Sequence, residues 1–306
     1  MPQSCTSVPG GRRLRPRNRS LSLVAVTTVL AALAVIMPGT PASAAAPTRA
    51  DSKSRPVVLV HGLNKDGTNC TDDWANAIAV LQEEGFSGPF VTFGYYQDNV
   101  ANSCTRNYGG STDTSLDTVA RVFANWVHDT YTTRDTVIDV VAHSMGGLIV
   151  RRAIAGVQNK VPGFPSTIYI EDVVTLATPH GGAPDAIWCT ANTQCAQIRP
   201  GSDFLEGLAR NAGNPQSSIG TDWSVVASES DPWVSTSSAT KMDAGHQYVY
   251  LKSNRLDHSE VRTHHSTART FDIRWKHVEG ARSGTDHNGA ATLRVTAAAL
   301  YRWRSW

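Results

Sequence analysis

"DVVAHSMGGLIVRRA", from Asp139 to Ala153, decides how the chain is read. An apolar run ends just before Ser144, and Gly146 and Gly147 follow almost at once. Upstream, "TVIDVVA" (Thr136–Ala142) is rich in β-branched residues and predicts a strand. Downstream, "GGLIVRRAIAGVQ" (Gly146–Gln158) predicts a helix. A serine on a sharp strand-to-helix turn has its hydroxyl lifted above the sheet edge, and its neighbours two before and two after must be small. Here they are Ala142 and Gly146, alanine standing where glycine is usual. The following helix points its first amides at the same spot, where an anion is stabilised. Ser144 is the candidate nucleophile. The alternative, a chance serine in a glycine-rich turn, fits the flanking strand and helix less well.

The same rhythm runs outward from this turn. "PVVLV" (Pro56–Val60), "FVTFGYY" (Phe90–Tyr96), "DVVTLATP" (Asp172–Pro179), "WSVVAS" (Trp223–Ser228) and "QYVYL" (Gln247–Leu251) predict strands. "TDDWANAIAVLQEEGF" (Thr71–Phe86) predicts a helix with Trp74, Ile78 and Leu81 on one face, Thr71 or Asp72 as its cap and Gly85 as its stop. "SLDTVARVFANWVHDTY" (Ser115–Tyr131) repeats apolar residues near the helical period, and "AATLRVTAAALYRW" (Ala290–Trp303) predicts a last helix. Alternating strands and helices predict an α/β fold: a mostly parallel central sheet with helices on both faces. In such folds ligands bind where the strands end at their C-terminal edge, and Ser144 lies at such a strand end.

A serine nucleophile needs amide donors for the oxyanion it creates. One is expected from Met145, directly after the serine. The other is expected from Leu63 in "VLVHGLN" (Val58–Asn64), where Gly62 lets the backbone approach. His61 precedes the serine, whereas this architecture orders serine, acid, histidine, so a structural role is expected for it. In "WSVVASESDPWV" (Trp223–Val234), Asp231 is the candidate acid, since Pro232 forces a turn just past the strand. A turn-capping role is the alternative. Glu229 is expected to face elsewhere, Asp222 lies at the wrong edge, and Asp185 comes too early. His258 follows the next strand, 27 residues after Asp231, and is the candidate base. His287, in "SGTDHNG" before the last helix, remains its rival. His264 and His265 are too sparse for a metal site, and the expected chemistry calls for no metal or organic cofactor.

The chain has 306 residues, 41% hydrophobic and 18% charged, which suits a folded globular protein of one large or two small domains. Its net charge of +2 is weighted by Arg12, Arg13, Arg15, Arg17 and Arg19, with no acid before Asp51. These lead into "LSLVAVTTVLAALAVIM" (Leu21–Met37) and then Ala42-Ser43-Ala44, the pattern of a secretory leader cleaved after Ala44. A short membrane helix is the alternative. The Arg12-Arg13 pair hints at twin-arginine export without settling the route. Without residues 1–44, 23 basic residues face 26 acidic ones, with no basic stripe for nucleic acid. The expected organisation is a leader over 1–44 and one domain over 45–306, secreted from the cell. Cys70, Cys104, Cys189 and Cys195 then make an even set in an oxidising compartment, with three possible pairings. Cys189 with Cys195 closes a short local loop, leaving Cys70 with Cys104.

"PVVLVHGLN", "VVAHSMGGLIVRRA", "VVTLATPHGGAPDA" and "IRPGSDFLEGL" together resemble secreted bacterial, particularly actinobacterial, lipases and esterases of the α/β-hydrolase fold. The resemblance spans about residues 56–260, and Bacillus-type members also carry alanine two residues before the nucleophile. It implies Ser144, Asp231 and His258 as a triad, Leu63 and Met145 as oxyanion donors, and a lipid or other ester as substrate, met at a lipid–water interface in the case of a lipase. The stretch from Arg262 to Gly289 departs from the smallest such enzymes, which keeps His287 in play. Activity is expected to rise with pH through about 6–7, as a histidine base becomes neutral. Residues 183–222 could roof an acyl pocket or form a plain surface excursion. No stable protein partner is implied. An acyltransferase or amidase using the same triad, and a binding module on a hydrolase scaffold, are the competing classes.

Overall fold

The computed structural model describes residues 45–64, 66–184, 192–278 and 281–301. The expected leader over 1–44 and Cys189 lie outside the described residues. A strand covered on both faces is buried along its whole length, and three strands answer that description. β1 (Val57–Val60), β4 (Ile138–His143) and β5 (Ile170–Leu176) are buried at every residue. They form the middle of a nine-stranded sheet ordered β3-β2-β1-β4-β5-β6-β7-β8-β9. The remaining strands are β2 (Phe90–Tyr96), β3 (Arg106–Gly110), β6 (Asp222–Ser228), β7 (His246–Tyr250), β8 (Phe271–His277) and β9 (Arg282–Gly289). Pairing is parallel from β3 to β7 and antiparallel from β7 through β9.

Helices cover both faces, as the strand–helix alternation predicts. On one face α2 (Leu116–Thr130), α3 (Met145–Gln158) and α5 (Asp203–Asn211) bury residues such as Phe123, Leu148 and Leu205 against the sheet. On the other, α1 (Cys70–Glu83) and α8 (Thr292–Ala299) bury Trp74, Leu81 and Leu293. The short helices α4 (Thr193–Gln197), α6 (Thr236–Ala239) and α7 (Glu260–Thr263) lie in loops between strands. Helix α2 starts where Ser115 accepts from the Thr118 amide at 3.2 Å. Helix α1 starts earlier than its sequence suggests: Asn69, not Thr71 or Asp72, caps it through the Asp72 amide. The α/β-hydrolase architecture expected from the sequence is the one observed.

Three strands escaped the sequence reading. Residues of β3 and β9 are mostly exposed and polar, so no hydrophobic period marks them. Both are edge strands, where polar and charged side chains discourage pairing with another sheet. β8 buries only alternate residues against β7, and it turns the Arg262–Gly289 region into a hairpin added to the sheet. Cys70 and Cys104 form a disulfide that ties the start of α1 to the loop after β2. Cys195 is disulfide-bonded as well.

At the N-terminal edge of the sheet, opposite Ser144, three carboxylates are buried: Asp139 on β4, and Glu171 and Asp172 on β5. Arg55 lies 2.7 Å from Glu171 and 3.9 Å from Asp139, Arg49 lies 3.6 Å from Asp172, and the Ala50 amide faces both Glu171 oxygens at 3.1 Å. Burial, reinforced by Glu171, pushes the Asp139 carboxyl up to about 8 against the pull of Arg55. An unfolded aspartate releases its proton near pH 3.9. Folding therefore takes up a proton between about pH 4 and about pH 8, and this group's contribution to stability falls as pH rises through that window. Asp139→Asn should shrink the drop in melting temperature between pH 5 and pH 9, measured by circular dichroism. An unchanged or larger drop would contradict the assignment.

Candidate active site

The turn from β4 into α3 places Ser144 at φ 54° and ψ −131°, a conformation that side-chain-bearing residues avoid. Its amide donates to Leu176 O at 2.8 Å, and its carbonyl accepts from the Gly147 amide at 3.1 Å. The smallness of its neighbours has a visible cause. A Cβ on Gly146 would overlap His61 O and lie 2.7 Å from Val60 O. A Cβ on Gly62 would sit 2.7 Å from the Ser144 Cβ. Ala142 is fully buried in the core with its methyl group accommodated.

Loops from two further strand ends reach the serine. His258 Nε2 is 2.9 Å from Ser144 Oγ, and His258 Nδ1 is 2.7 Å from Asp231 Oδ2. The other Asp231 oxygen accepts from the Trp233 and Val234 amides at 2.8 and 3.0 Å. That carboxylate is buried and held by three donors, so its direction is set before any substrate arrives. The loop bearing His258 is tied at both ends. Ser228 Oγ, at the end of β6, donates to Leu256 O at 2.7 Å. Asp257 and Glu260 exchange side-chain-to-amide bonds at 2.8 and 2.9 Å.

Hydroxyl, imidazole and carboxylate thus come together from residues singled out in the sequence. The rivals lie elsewhere. His287 is an exposed side chain on β9, 2.7 Å from Asp272. Glu229 faces Arg274 and the Lys252 amide. Asp222 stands at the opposite strand end, 3.1 Å from His246, and Asp185 lies outside the described residues. Among the described residues no cluster of His, Cys, Asp and Glu is arranged to hold a metal ion.

The serine is half-buried at the floor of a cavity of about 170 Å³. Leu63 and Met145, the expected amide donors, both line it. One wall is apolar, from Pro179, Ala183, Ile198 and Val234, and Trp233 rises at its rim, 42% exposed with its ring 5.0 Å from His258. Asn64, Thr68, Asp73 and Arg262 add polar groups to its lining. Arg262 is clasped by the Asp73 carboxylate at 3.2 Å and lies over the Trp74 ring. In the 183–222 region, "DFLEGLARN" became α5, packed on α3 with no residue at this cavity.

His143, next to the serine, carries a role that the sequence did not reveal. Its Nε2 lies 3.0 Å from the His258 carbonyl, so it donates there and braces the imidazole loop from below. Burial holds its pKa well below the ordinary histidine value, with His258 and Arg262 adding to the shift, so it stays neutral. Its only sequence signal was its place beside Ser144. The packing at the turn yields a direct test. Gly146→Ala should destabilise the fold by ~1–3 kcal/mol, the usual cost of overpacking, read as a lowered denaturant midpoint. Full wild-type stability would mean that the turn has room to spare.

Residues 50–188 match the family described as "Putative serine esterase (DUF676)". No curated protein matches the chain. Among solved structures, the lin2722 gene product of Listeria innocua superposes with a TM-score of 0.50 at 12% identity, over 82% of this chain and 96% of that one. Mature Bacillus licheniformis lipase BlEst2 is 17% identical, over 60% of this chain and 69% of that one, with a TM-score of 0.40. Phospholipase PlaB of Legionella pneumophila is 20% identical over 57% of this chain with a TM-score of 0.41, and the matched part spans 38% of PlaB. The chain has the α/β-hydrolase fold, and its portion from 50 to 188, Ser144 included, is similar to that family of serine esterases.

Proposed function

We propose that the protein is a carboxylic ester hydrolase working through an acyl-enzyme, with Ser144 as nucleophile, His258 as base and Asp231 as orienting acid. The observation that carries this reading is the unbroken series Ser144 Oγ, His258 and Asp231, with links of 2.9 and 2.7 Å at the floor of an open cavity. His258 takes the serine proton as Oγ attacks the ester carbonyl, and the electron pair of the C=O bond moves to oxygen. The amides of Leu63 and Met145 stabilise that oxyanion. Collapse expels the alcohol, which receives the proton from His258. Water, activated by the same imidazole, then attacks the acyl-serine and releases the acid. Asp231 keeps the His258 proton on Nδ1, which leaves Nε2 free to accept.

Cavity size bears on the substrate. At about 170 Å³ the cavity lies below the ~300–1,000 Å³ common for drug-sized ligands. This supports esters of short acyl chains, with the acyl group on the Pro179–Ile198–Val234 side and the alcohol toward Asn64 and Arg262. An acylglycerol would keep most of each chain outside, where exposed Trp233 offers an apolar rim at a lipid–water interface. Export from the cell is part of the same proposal, supported by the Cys70–Cys104 disulfide and the leader-like first 44 residues.

With p-nitrophenyl butyrate as substrate, Ser144→Ala and His258→Ala should each lower kcat at least ~10³-fold, as for triad members that act as a unit. His287→Ala should leave it within about twofold, as expected of a surface change. Abolition by His287→Ala with His258→Ala active would overturn the base assignment. Across a chain-length series, kcat/KM should be higher for the butyrate than for the palmitate ester. The reverse order would point to long-chain lipids.

A further inference from the structure

Gly62 approaches the nucleophile more closely than any side-chain-bearing residue could: a Cβ there would lie 2.7 Å from Ser144 Cβ and 3.3 Å from Oγ. Its carbonyl is held from the other side. The hydroxyl of Tyr95, a fully buried residue of β2, lies 2.7 Å from Gly62 O and 2.9 Å from His61 O. His61 Nδ1 lies 2.8 Å from the same Gly62 oxygen. The His61 and Tyr95 rings are stacked, 4.1 Å apart and 15° from parallel. Asn99 Nδ2, which can only donate, sits 3.4 Å from His61 Nε2. Nε2 must therefore accept, so the ring proton resides on Nδ1 and points at Gly62 O. Burial keeps this imidazole neutral, its pKa lowered to about 4.

A trans peptide is planar, so its C=O and N–H point in opposite directions. The Gly62 carbonyl and the Leu63 amide belong to one such plane. With the carbonyl turned to Tyr95 and His61, the Leu63 N–H must point the other way, and Leu63 lines the same cavity as Ser144. Glycine permits rotations of this plane that other residues resist. Without the two donors, the plane is free to flip and present a carbonyl oxygen where an amide is needed. We propose that Tyr95 and His61 are positioning residues that aim the Leu63 amide at the reacting oxygen by gripping the carbonyl of the same peptide. The proposal rests on the ester hydrolase reading, in which Leu63 is an oxyanion donor.

Loss of a whole oxyanion donor costs about 10²–10³ in kcat. A misaimed one should cost less. Tyr95→Phe, which keeps the ring and deletes the hydroxyl, should lower kcat roughly 10- to 100-fold with KM within about twofold, since the contact matures only in the transition state. Phosphonylation of Ser144 by a fluorophosphonate, whose P–O bond polarises into the same hole, should slow by a similar factor. His61→Asn, whose amide nitrogen can replace Nδ1, should retain more activity than His61→Ala. These two variants decide the matter if Tyr95→Phe does not fold. Wild-type kcat and phosphonylation rates in Tyr95→Phe, or a loss confined to KM, would overturn the proposal. If the wild-type protein turns over no ester but is phosphonylated, the hydrolase reading alone fails and the phosphonylation comparison still decides this one. A wild-type protein that is neither turned over nor phosphonylated overturns both.

Discussion

A serine held at positive φ is the constraint on which the rest of the site depends. Such a conformation costs about 1–3 kcal/mol and persists only where the surroundings over-determine it. Here β4 enters the turn buried on both faces, and α3 leaves it with twelve of its residues buried. The Leu176 carbonyl and the Gly147 amide fix the serine's own backbone. Space on the strand side is so limited that positions 62 and 146 admit only hydrogen. Packing energy from the sheet is thereby converted into one well-aimed hydroxyl.

A parallel sheet makes such a hydroxyl useful. The loops after β4, β6 and β7 open at the same edge, so residues 144, 231 and 258 meet without any element having to bend toward another. Each is secured by bonds that do not involve a substrate: Asp231 by two amides, His258 by the His143 and Ser228 contacts on its loop, and Gly62 by Tyr95 and His61. Rigid support of this kind is what electrostatic catalysis needs, because donors already in place need not reorganise as charge develops. The opposite sheet edge has a different character. There, buried carboxylates and arginines pair with one another at the bottom of the strands.

How much of this was legible in the sequence follows from the length scale of each signal. The strand-to-helix turn is local, with strand, small residue, serine, glycine and helix in one stretch, so the place of Ser144 on it could be read directly. Asp231 and His258 were readable at one remove, because each directly follows an apolar strand run. The edge strands β3 and β9 were invisible, since exposed polar residues carry no period. The contacts made by Tyr95, His143 and Arg262 could not be read from the sequence. These residues act across distances of 33 to 189 residues, Tyr95 on Gly62 and His61, His143 on the His258 carbonyl and Arg262 on Asp73. An aromatic in a strand and a histidine beside a serine read equally well as core. The cap of α1 was misplaced by two or three residues because Asn69, Thr71 and Asp72 are all competent caps and only the fold selects among them.

The central claim is geometric: an attacking hydroxyl, an imidazole and two amides surround one point in space. A crystal structure of the protein inactivated with a fluorophosphonate tests it most directly. The account predicts phosphorus bonded to Ser144 Oγ, with its nonbridging oxygen within hydrogen-bond distance of both the Leu63 and Met145 amides and His258 alongside. An adduct on another residue, or one on Ser144 whose oxygen faces away from those amides, would contradict it.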